Sequence, residues 1–446
     1  MPVPEARPPA PREPPPPEAR VPLAPPPTPG SGPPLLVVAL GALALLVLGA
    51  AVALGASALL GEDEAPAPAP VAAVDPEARP EVPAELGFPA FATQNTTRIA
   101  GQDPIADAAG AALARYPTQG AAEGPAAVAL VDSADWQGGI AAAALAAPPI
   151  GAPLLITDSG EVPALTLEAL RALAPQGSRD TDGAQALRIG DATVPDGLRT
   201  TDAEGAEPAE LAAEIDALRR RLTGRDPDSI VIASSEDPGF AMPAAAWAAF
   251  SGDPVLFVER DSVPAATLRA LDRHRNARAY VLGSEQVVSD RVLRRLSDRV
   301  AGVRRVAGES PVTNAITFAR FADGAFGWNI NDPGHGFVIA NQDRPLDAAA
   351  AAPLSAAGKP GPLLLTDDAE TVPGPLRGFL LDTKPGFRDD PTRAVYNHVW
   401  LIGDQDAISV PFQAEVDELT ALSPILEGSG DSLGPQPGSA ESEPEP

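Results

Sequence analysis

Cysteine is absent from this chain of 446 residues, and histidine occurs only three times. Without cysteine there are no disulfides, no thiolate metal ligands and no thiol nucleophile. His274, His335 and His398 lie far apart in the sequence, and there is no Gly-x-Ser-x-Gly motif, so a nucleophilic triad has no support. No glycine-rich phosphate loop follows a predicted strand, and no pair of acids is placed for glycoside hydrolysis. We therefore expect a non-catalytic protein that needs no cofactor.

Two other polar groups have simple structural explanations. His274 stands among Arg273 and Arg275, which predicts an exposed helix face. Asp367 and Asp368 follow a predicted strand and could attract a hard cation, but adjacent carboxylates at a strand end more often form a turn. We therefore predict no metal site.

Basic residues are scarce as well. The chain has 32 Lys and Arg residues against 60 Asp and Glu residues, and its formal net charge is −28. This charge argues against a nucleic-acid partner, because phosphate binding needs a clustered basic surface. Residues 218–305 are the exception, with 15 Arg and 11 Asp or Glu residues. A GC-rich coding bias explains this arginine excess as readily as a selected function does.

The N-terminal region is predicted to contain a tail and a membrane span. Residues 1–34 hold 16 of the 54 prolines and few large apolar side chains, which predicts a disordered tail. Residues 35–60 are 26 positions without a charge, long enough for a transmembrane helix across ~30 Å of hydrocarbon. A cleaved signal peptide is the alternative, because Ala56-Ser57-Ala58 resembles a cleavage site, although the apolar stretch exceeds an ordinary signal core.

The charges around this span predict its orientation. Arg7, Arg12 and Arg20 precede it, and Glu62-Asp63-Glu64 follow it. Since basic residues stay on the cytoplasmic side, we predict a single-pass signal anchor with a cytoplasmic N terminus and an extracellular remainder. Residues 61–92, rich in Pro, Ala and Glu, are predicted to be a linker, and residues 425–446 a disordered acidic tail.

One pattern occurs three times in the chain. It consists of a proline, an apolar run, a polar turn, Val-Pro, a predicted helix and a second apolar run that ends in glycine. The opening prolines, Pro153, Pro254 and Pro362, are 101 and 108 residues apart. These periods are too long for a solenoid repeat of roughly 20–50 residues. We therefore predict three related modules, residues 93–196, 197–301 and 302–424.

Each module is predicted to contain parallel βαβ units. A short apolar run precedes an Ala-rich helical stretch, and the proline-led run follows at a nearly constant distance, as in a crossover of fixed geometry. Continuous apolar runs indicate a parallel sheet with helices on both faces. The predicted fold class is therefore α/β, with three tandem small doubly wound parallel-sheet modules of Rossmann or flavodoxin type, preceded by one transmembrane helix.

Several short motifs recur in these modules. Arg98-Ile99-Ala100-Gly101 and Arg305-Val306-Ala307-Gly308 share an opening, residues 153–157 and 362–366 share a Pro-Leu-Leu core, and residues 401–409 form a closing motif. Together they resemble the type-2 cell wall-binding repeat family of Gram-positive surface proteins. The second module departs from the family pattern, because residues 198–202 lack the opening glycine.

The resemblance implies three repeats in a compact unit that holds a protein non-covalently on anionic wall polymers. In the family, a Leu-Leu motif lies in polymer-facing grooves. Further candidates are the opening arginines Arg98 and Arg305, with Arg294 and Arg295 of the basic middle module. Carried over to this chain, the Leu-Leu motif corresponds to Leu154, Leu155, Val255, Leu256, Leu363 and Leu364. The same residues would form core strands in any α/β domain.

We therefore predict a membrane-anchored extracytoplasmic protein that contacts anionic cell-wall polymer or peptidoglycan and tethers the membrane to the envelope. Its other partners would be the lipid bilayer, through residues 35–60, and a protein bound to the Pro-rich tail. The alternative is a surface scaffold or sensor whose degenerate repeats bind a protein partner. An enzyme is a third possibility, with no sequence feature in its favour beyond the α/β fold.

Overall fold

The computed structural model describes residues 89–117, 124–356 and 358–425. The predicted tail, the predicted transmembrane segment at residues 35–60, the linker up to residue 88 and the acidic tail from residue 426 lie outside these ranges. Within them, no helix combines the length and the apolar character needed to cross a bilayer.

Strands and helices alternate along most of the described chain. The α-helices are α1 (Pro104–Arg115), α2 (Trp136–Ala142), α3 (Ala164–Leu173), α4 (Pro208–Thr223), α5 (Pro238–Ala241), α6 (Pro243–Ser251), α7 (Ala265–Arg273), α8 (Asp290–Ser297), α9 (Pro311–Arg320), α10 (Pro345–Ala356), α11 (Gly374–Asp382) and α12 (Val410–Thr420). The strands are β1 (Pro89–Ala92), β2 (Thr96–Ile99), β3 (Val128–Asp132), β4 (Leu154–Thr157), β5 (Ala186–Ile189), β6 (Thr200–Ala203), β7 (Ser229–Ser234), β8 (Val255–Val258), β9 (Arg278–Leu282), β10 (Gly302–Val306), β11 (Gly336–Asn341), β12 (Leu363–Thr366), β13 (Gly386–Phe387), β14 (His398–Ile402) and β15 (Ser423–Pro424).

The strands form three larger sheets with a common order. The first sheet is β4-β3-β5-β6, the second is β8-β7-β9-β10, and the third is β12-β11-β14-β2-β1. All neighbours in these sheets are parallel except β1 and β2. The predicted α/β class with parallel sheets is confirmed.

Each sheet borrows its fourth strand from the segment that opens the next repeat. Strand β6 completes the first sheet and β10 completes the second. The third sheet receives β2, from the start of the described chain, which pairs with β14 about 300 residues later. The exchange is therefore cyclic, and the first opening strand closes the circle. The predicted module boundaries describe the period of the sequence, whereas the hydrogen bonds of the sheets cross them.

Ala-rich helices occupy the centre of the molecule. Helices α2, α6 and α10 contact one another, and α2 continues as a 3₁₀ turn, Ala143–Ala146. Their alanines are almost all buried. Because alanine has no side-chain conformational entropy to lose and little bulk, three helices can approach closely here and still cover the sheets.

The Val-Pro dipeptides mark helix starts, as the sequence predicted. Helices α3, α7 and α11 each begin directly after a proline, at Pro163, Pro264 and Pro373. The ring fixes φ near −57°, and proline's missing N–H is harmless where a helix has no partner for it.

The prediction that the second repeat lacks its opening glycine is wrong. Gly205 lies two residues after β6, as Gly101 follows β2 and Gly308 follows β10. At all three positions a Cβ atom would lie within 2.5 Å of the backbone nitrogen six residues later. Only glycine fits where this loop crosses the start of the next helix. The second repeat therefore keeps its opening glycine, three residues after the segment 198–202.

Candidate binding surface

The six residues of the predicted Leu-Leu motifs lie in the interior. Their exposed fractions are between 0 and 1%. They belong to β4, β8 and β12, each the outer strand of its sheet, and helices cover both faces of these strands. Core packing explains their apolar character fully. A direct contact between Leu154, Leu155, Val255, Leu256, Leu363 or Leu364 and a polymer stays a prediction, and it would require these strands to become accessible.

Arg98 acts as a clasp, because its buried side chain joins β2 to the loop after β14 and to α12. It is 2% exposed, and its Nη1 donates to the carbonyl oxygens of Gly403 and Asp404 at 3.0 and 2.9 Å. Its Nε donates to Gln413 at 2.9 Å, and its Nη2 to the carbonyl of Ser409 at 3.3 Å. Burial lowers the pKa of Arg98 to about 10, partly offset by nearby carboxylates. The guanidinium is therefore occupied inside the protein.

Arg305 holds β10 to the second sheet in a similar way. Its Nη1 donates to the carbonyl of Gly283 at 2.9 Å, the counterpart of Gly403, and its Nη2 pairs with Asp290 at 2.8 Å. In the remaining repeat the equivalent strand carries Asp202, which pairs with Arg188 at 2.9 Å. The opening arginines are thus used for joining strands, and their predicted contact with a polymer stays untested.

Helix α8 presents the clearest basic surface. Arg291, Arg294 and Arg295 are exposed and occupy positions i, i+3 and i+4, which share one helix face. On the opposite face, Val292 and Leu296 are buried. None of the three arginines has a carboxylate within 4 Å among the residues that the structure describes. We call Arg291, Arg294 and Arg295 the α8 arginine face.

The other basic side chains of this region are mostly neutralised. Arg220 pairs with Asp226, Arg273 with Asp216, and Asp272 accepts from both Arg275 and Arg299. Arg278 and Arg304 share Asp323. Within the described ranges Arg221, Arg225, Arg260 and Arg269 are also exposed without an ion pair, but they lie on other elements. The α8 arginine face differs from them because it places three unpaired arginines on one face of one helix.

The two equivalent positions in the other repeats differ in charge. Helix α12 follows β14 as α8 follows β9, but it carries Glu415, Asp417 and Glu418 instead of arginines. After β5 the chain forms no helix until α4. Of these three equivalent places in the described part of the chain, only the one after β9 therefore has a helix with unpaired arginines.

A cleft of about 500 Å³ opens beside the first sheet. Gly160, Asp191 and Thr193 line it together with Arg188 and Asp202. Arg188 is already paired with Asp202 and Glu204, each at 2.9 Å. This cleft therefore offers no free positive charge to an anionic ligand.

The histidine and aspartate candidates have structural roles. The prediction that His274 lies on a solvated face is wrong, because it is 3% exposed and its Nε2 lies 2.8 Å from Asp216 Oδ2. Asp368 accepts from the hydroxyl of Thr371 and from the backbone nitrogens of Glu370 and Thr371, as expected of a turn former, and these hydrogen bonds lower its pKa. No group of three or more potential metal ligands occurs in the described ranges.

Comparison with known proteins confirms the predicted family resemblance. Residues 203–293 match the family model described as cell wall binding domain 2 (CWB2). This segment is therefore similar to cell wall binding domain 2. It runs from the end of β6 to the middle of α8 and therefore contains Arg291. The match covers one of the three repeats, so the number of family copies stays a prediction.

Two solved structures share the fold. The first is Cwp6 from Clostridium difficile, 20% identical, with a TM-score of 0.58 over 73% of this chain and 48% of that one. The second is Cwp8 from Clostridium difficile, also 20% identical, with a TM-score of 0.56 over 74% of this chain and 52% of that one. This chain thus spans about half the length of either. No curated protein matches the sequence.

Proposed function

We propose that this chain is a non-catalytic cell wall-binding protein that contacts an anionic wall polymer through the α8 arginine face. The single observation that carries the proposal is that three exposed, unpaired arginines lie on one face of α8, inside or directly after the segment that matches cell wall binding domain 2. An anionic glycopolymer would pair with guanidinium groups that have no competing carboxylate.

The acidity of the rest of the molecule supports this choice of surface. With a net charge of −28, most of the protein repels a polyanion, so any contact must be local. The α8 face escapes this repulsion because Arg291, Arg294 and Arg295 are exposed and unpaired. Helix α12, at the equivalent place in the third repeat, is acidic and would be avoided.

Membrane attachment is the second part of the proposal. Residues 35–60 form an uncharged apolar stretch, preceded by arginines and followed by acidic residues. A span here would place the folded part outside the cytoplasmic membrane, and a protein that also holds the wall would link the two layers.

Sedimentation of the purified full-length chain with isolated Gram-positive cell walls tests wall binding. Each exposed ion pair contributes about 0.2–1 kcal/mol, so replacing the three α8 arginines by glutamine should weaken retention by a factor between about 3 and about 150. Added salt should weaken the wild type as well, because exposed charge pairs are screened.

A control triple variant changes the net charge equally. Arg171, Arg179 and Arg393 are exposed arginines distant in sequence from α8, and their replacement by glutamine should leave retention unchanged. Walls stripped of their anionic polymers should retain no variant. Equal retention by both triple variants would reject the α8 arginine face, and wild-type retention no better than that of an unrelated acidic protein would reject wall binding. A stoichiometric protein partner in a pull-down would then favour the scaffold alternative.

A further inference from the structure

Two buried carboxylates share one guanidinium where the circle of strands closes. Asp107 on α1 and Asp347 on α10 are both fully buried. Arg344 lies between them, with its Nη2 2.8 Å from Asp107 Oδ2 and its Nε 2.7 Å from Asp347 Oδ2. Asp107 Oδ1 also accepts from the backbone nitrogen of Gly101 at 2.8 Å. The pair therefore joins the first opening segment to the third sheet's central helix.

This cluster is specific to the closing junction. Six residues after the opening glycine, the other two repeats have Leu211 and Asn314 in place of Asp107. Arg344 lies three residues after the end of β11. At the same distance after β3 and β7, the other two repeats have Asp135 and Asp237. Leu211 lies beside Gly138, so that junction has one carboxylate, Asp135, and an apolar side chain where the closing junction has Arg344 and Asp107. Only the junction that depends on the N-terminal segment contains the cluster.

The charges around the pair do not balance it. Charged groups that interact with the pair from neighbouring elements are Asp103 at the start of α1, Asp404 after β14, and Arg98 on β2. Arg344 Nη1 lies 3.9 Å from Asp404 Oδ1. With every aspartate ionised, four carboxylates would face two guanidinium groups, and two of these carboxylates, Asp107 and Asp347, are fully buried. Binding of a proton relieves this excess of negative charge.

We propose that the junction between α1 and α10 is a proton-sensitive closure that holds β1, β2 and α1 more firmly at mildly acidic pH than at pH 8. Burial raises the pKa of Asp347 to about 7, although Arg344 opposes this rise. Burial also raises the pKa of Asp107, and the neighbouring Asp347 adds to the effect. Because the folded pKa exceeds the unfolded one, the closure is strongest below the unfolded pKa and loses strength up to the folded pKa near 7.

The consequence lies in the connection between the N terminus and the folded unit. Strands β1 and β2 are the first described elements after the predicted span and linker. The chain that connects a membrane span to the α8 arginine face would run through the segments that this closure holds. The proton-sensitive closure itself does not depend on wall binding and can be tested without walls.

Hydrogen exchange on the full-length chain tests the proposal. Between pH 5.5 and 8, after correction for intrinsic exchange rates, opening of α1 and β2 should become about 30-fold more frequent if one carboxyl shifts from 3.8 to about 7. Helices α4 and α9, which open the other two repeats, should show much smaller changes.

Asp347→Asn should abolish most of this pH dependence. Should that variant fail to fold, Asp107→Asn provides the second test, because Asn314 is the natural counterpart at an equivalent position. Asp253→Asn is the matched control, since Asp253 is a half-buried carboxyl of the second repeat with a raised pKa, and it should leave the pH dependence of α1 intact. Equal pH profiles for α1, α4 and α9, or an unchanged profile in whichever aspartate variant folds, would overturn the proposal.

Discussion

Replacing Arg98 by leucine should destabilise the protein far more than the same change at Arg305. The leucine side chain would remove the side-chain donor from the carbonyl oxygen of Gly403. It would also remove one of two donors from the carbonyl oxygens of Asp404 and Ser409, which keep the backbone nitrogens of Ile408 and Gln413. Each buried acceptor that loses its partner costs about 1–3 kcal/mol. Release of the buried guanidinium into water offsets part of this sum, so we expect a net loss of about 3–5 kcal/mol.

Arg305 provides the internal comparison because its environment is wetter. Its side chain is 18% exposed, and its partner Asp290 is 55% exposed, so water can replace the lost contact. Loss of an exposed ion pair and one hydrogen bond costs about 1 kcal/mol. Since native proteins are stable by about 5–15 kcal/mol, the two variants should differ clearly.

Urea unfolding of the full-length chain, followed by circular dichroism, measures the difference. The unfolding midpoint should fall strongly for Arg98→Leu and only slightly for Arg305→Leu. If the two midpoints agree, or if Arg305→Leu is the less stable variant, the interpretation of Arg98 as the clasp of the third sheet is refuted.

Two further outcomes follow from the glycine loops and from a half-buried carboxyl. Gly205→Ala should destabilise by at least about 2 kcal/mol, because its Cβ would lie 2.3 Å from the backbone nitrogen of Leu211; Gly374→Ala, with open space around the Cβ, should be neutral, and equal melting temperatures would contradict the argument. Burial raises the pKa of Asp253, which accepts from Trp247 Nε1 at 2.8 Å, to about 6. Tryptophan fluorescence should therefore titrate near pH 6, and stability should fall as pH rises from the unfolded pKa of 3.8 to the folded pKa of about 6. Asp253→Asn should abolish the fluorescence step.

Local patterns predicted the βα elements because their causes are local. Continuous apolar runs, proline before a helix and Ala-rich stretches all act within about ten residues. Strands β3, β7 and β11 and the Ala-rich helices that follow them precede Pro153, Pro254 and Pro362, as the repeated pattern predicted. The same spacing predicted that neighbouring strands run parallel.

The cyclic exchange of strands was not predictable from these patterns. Strand β2 pairs with β14 across about 300 residues, and no local signal in Thr96–Ile99 identifies that partner. The same limit explains His274, whose partner Asp216 is 58 residues away. Its neighbouring arginines suggested solvent, but a helix face is decided by the element packed against it.

The predicted site residues separate into three physical classes. The Leu-Leu residues are core, since an apolar strand is explained by burial alone. Arg98 and Arg305 are clasps, because their donors meet backbone carbonyls that no sequence pattern reveals. Arg294 and Arg295 are exposed. The sequence analysis missed Arg291, although it precedes the pair by three and four residues, the spacing that places side chains on one helix face.

Divergence among the repeats has left the core uniform and the polar positions different. All three outer strands are apolar at equivalent positions, whereas the helices after the third strands are basic, acidic or absent. A ligand recognised by core shape would meet three similar sites around the central helices. Among the helices that follow the third strands in the described part of the chain, only α8 offers a ligand unpaired positive charge, beside the second sheet. An anionic polymer bound by the α8 arginine face would therefore occupy a single site for each chain, despite the threefold repetition of the fold.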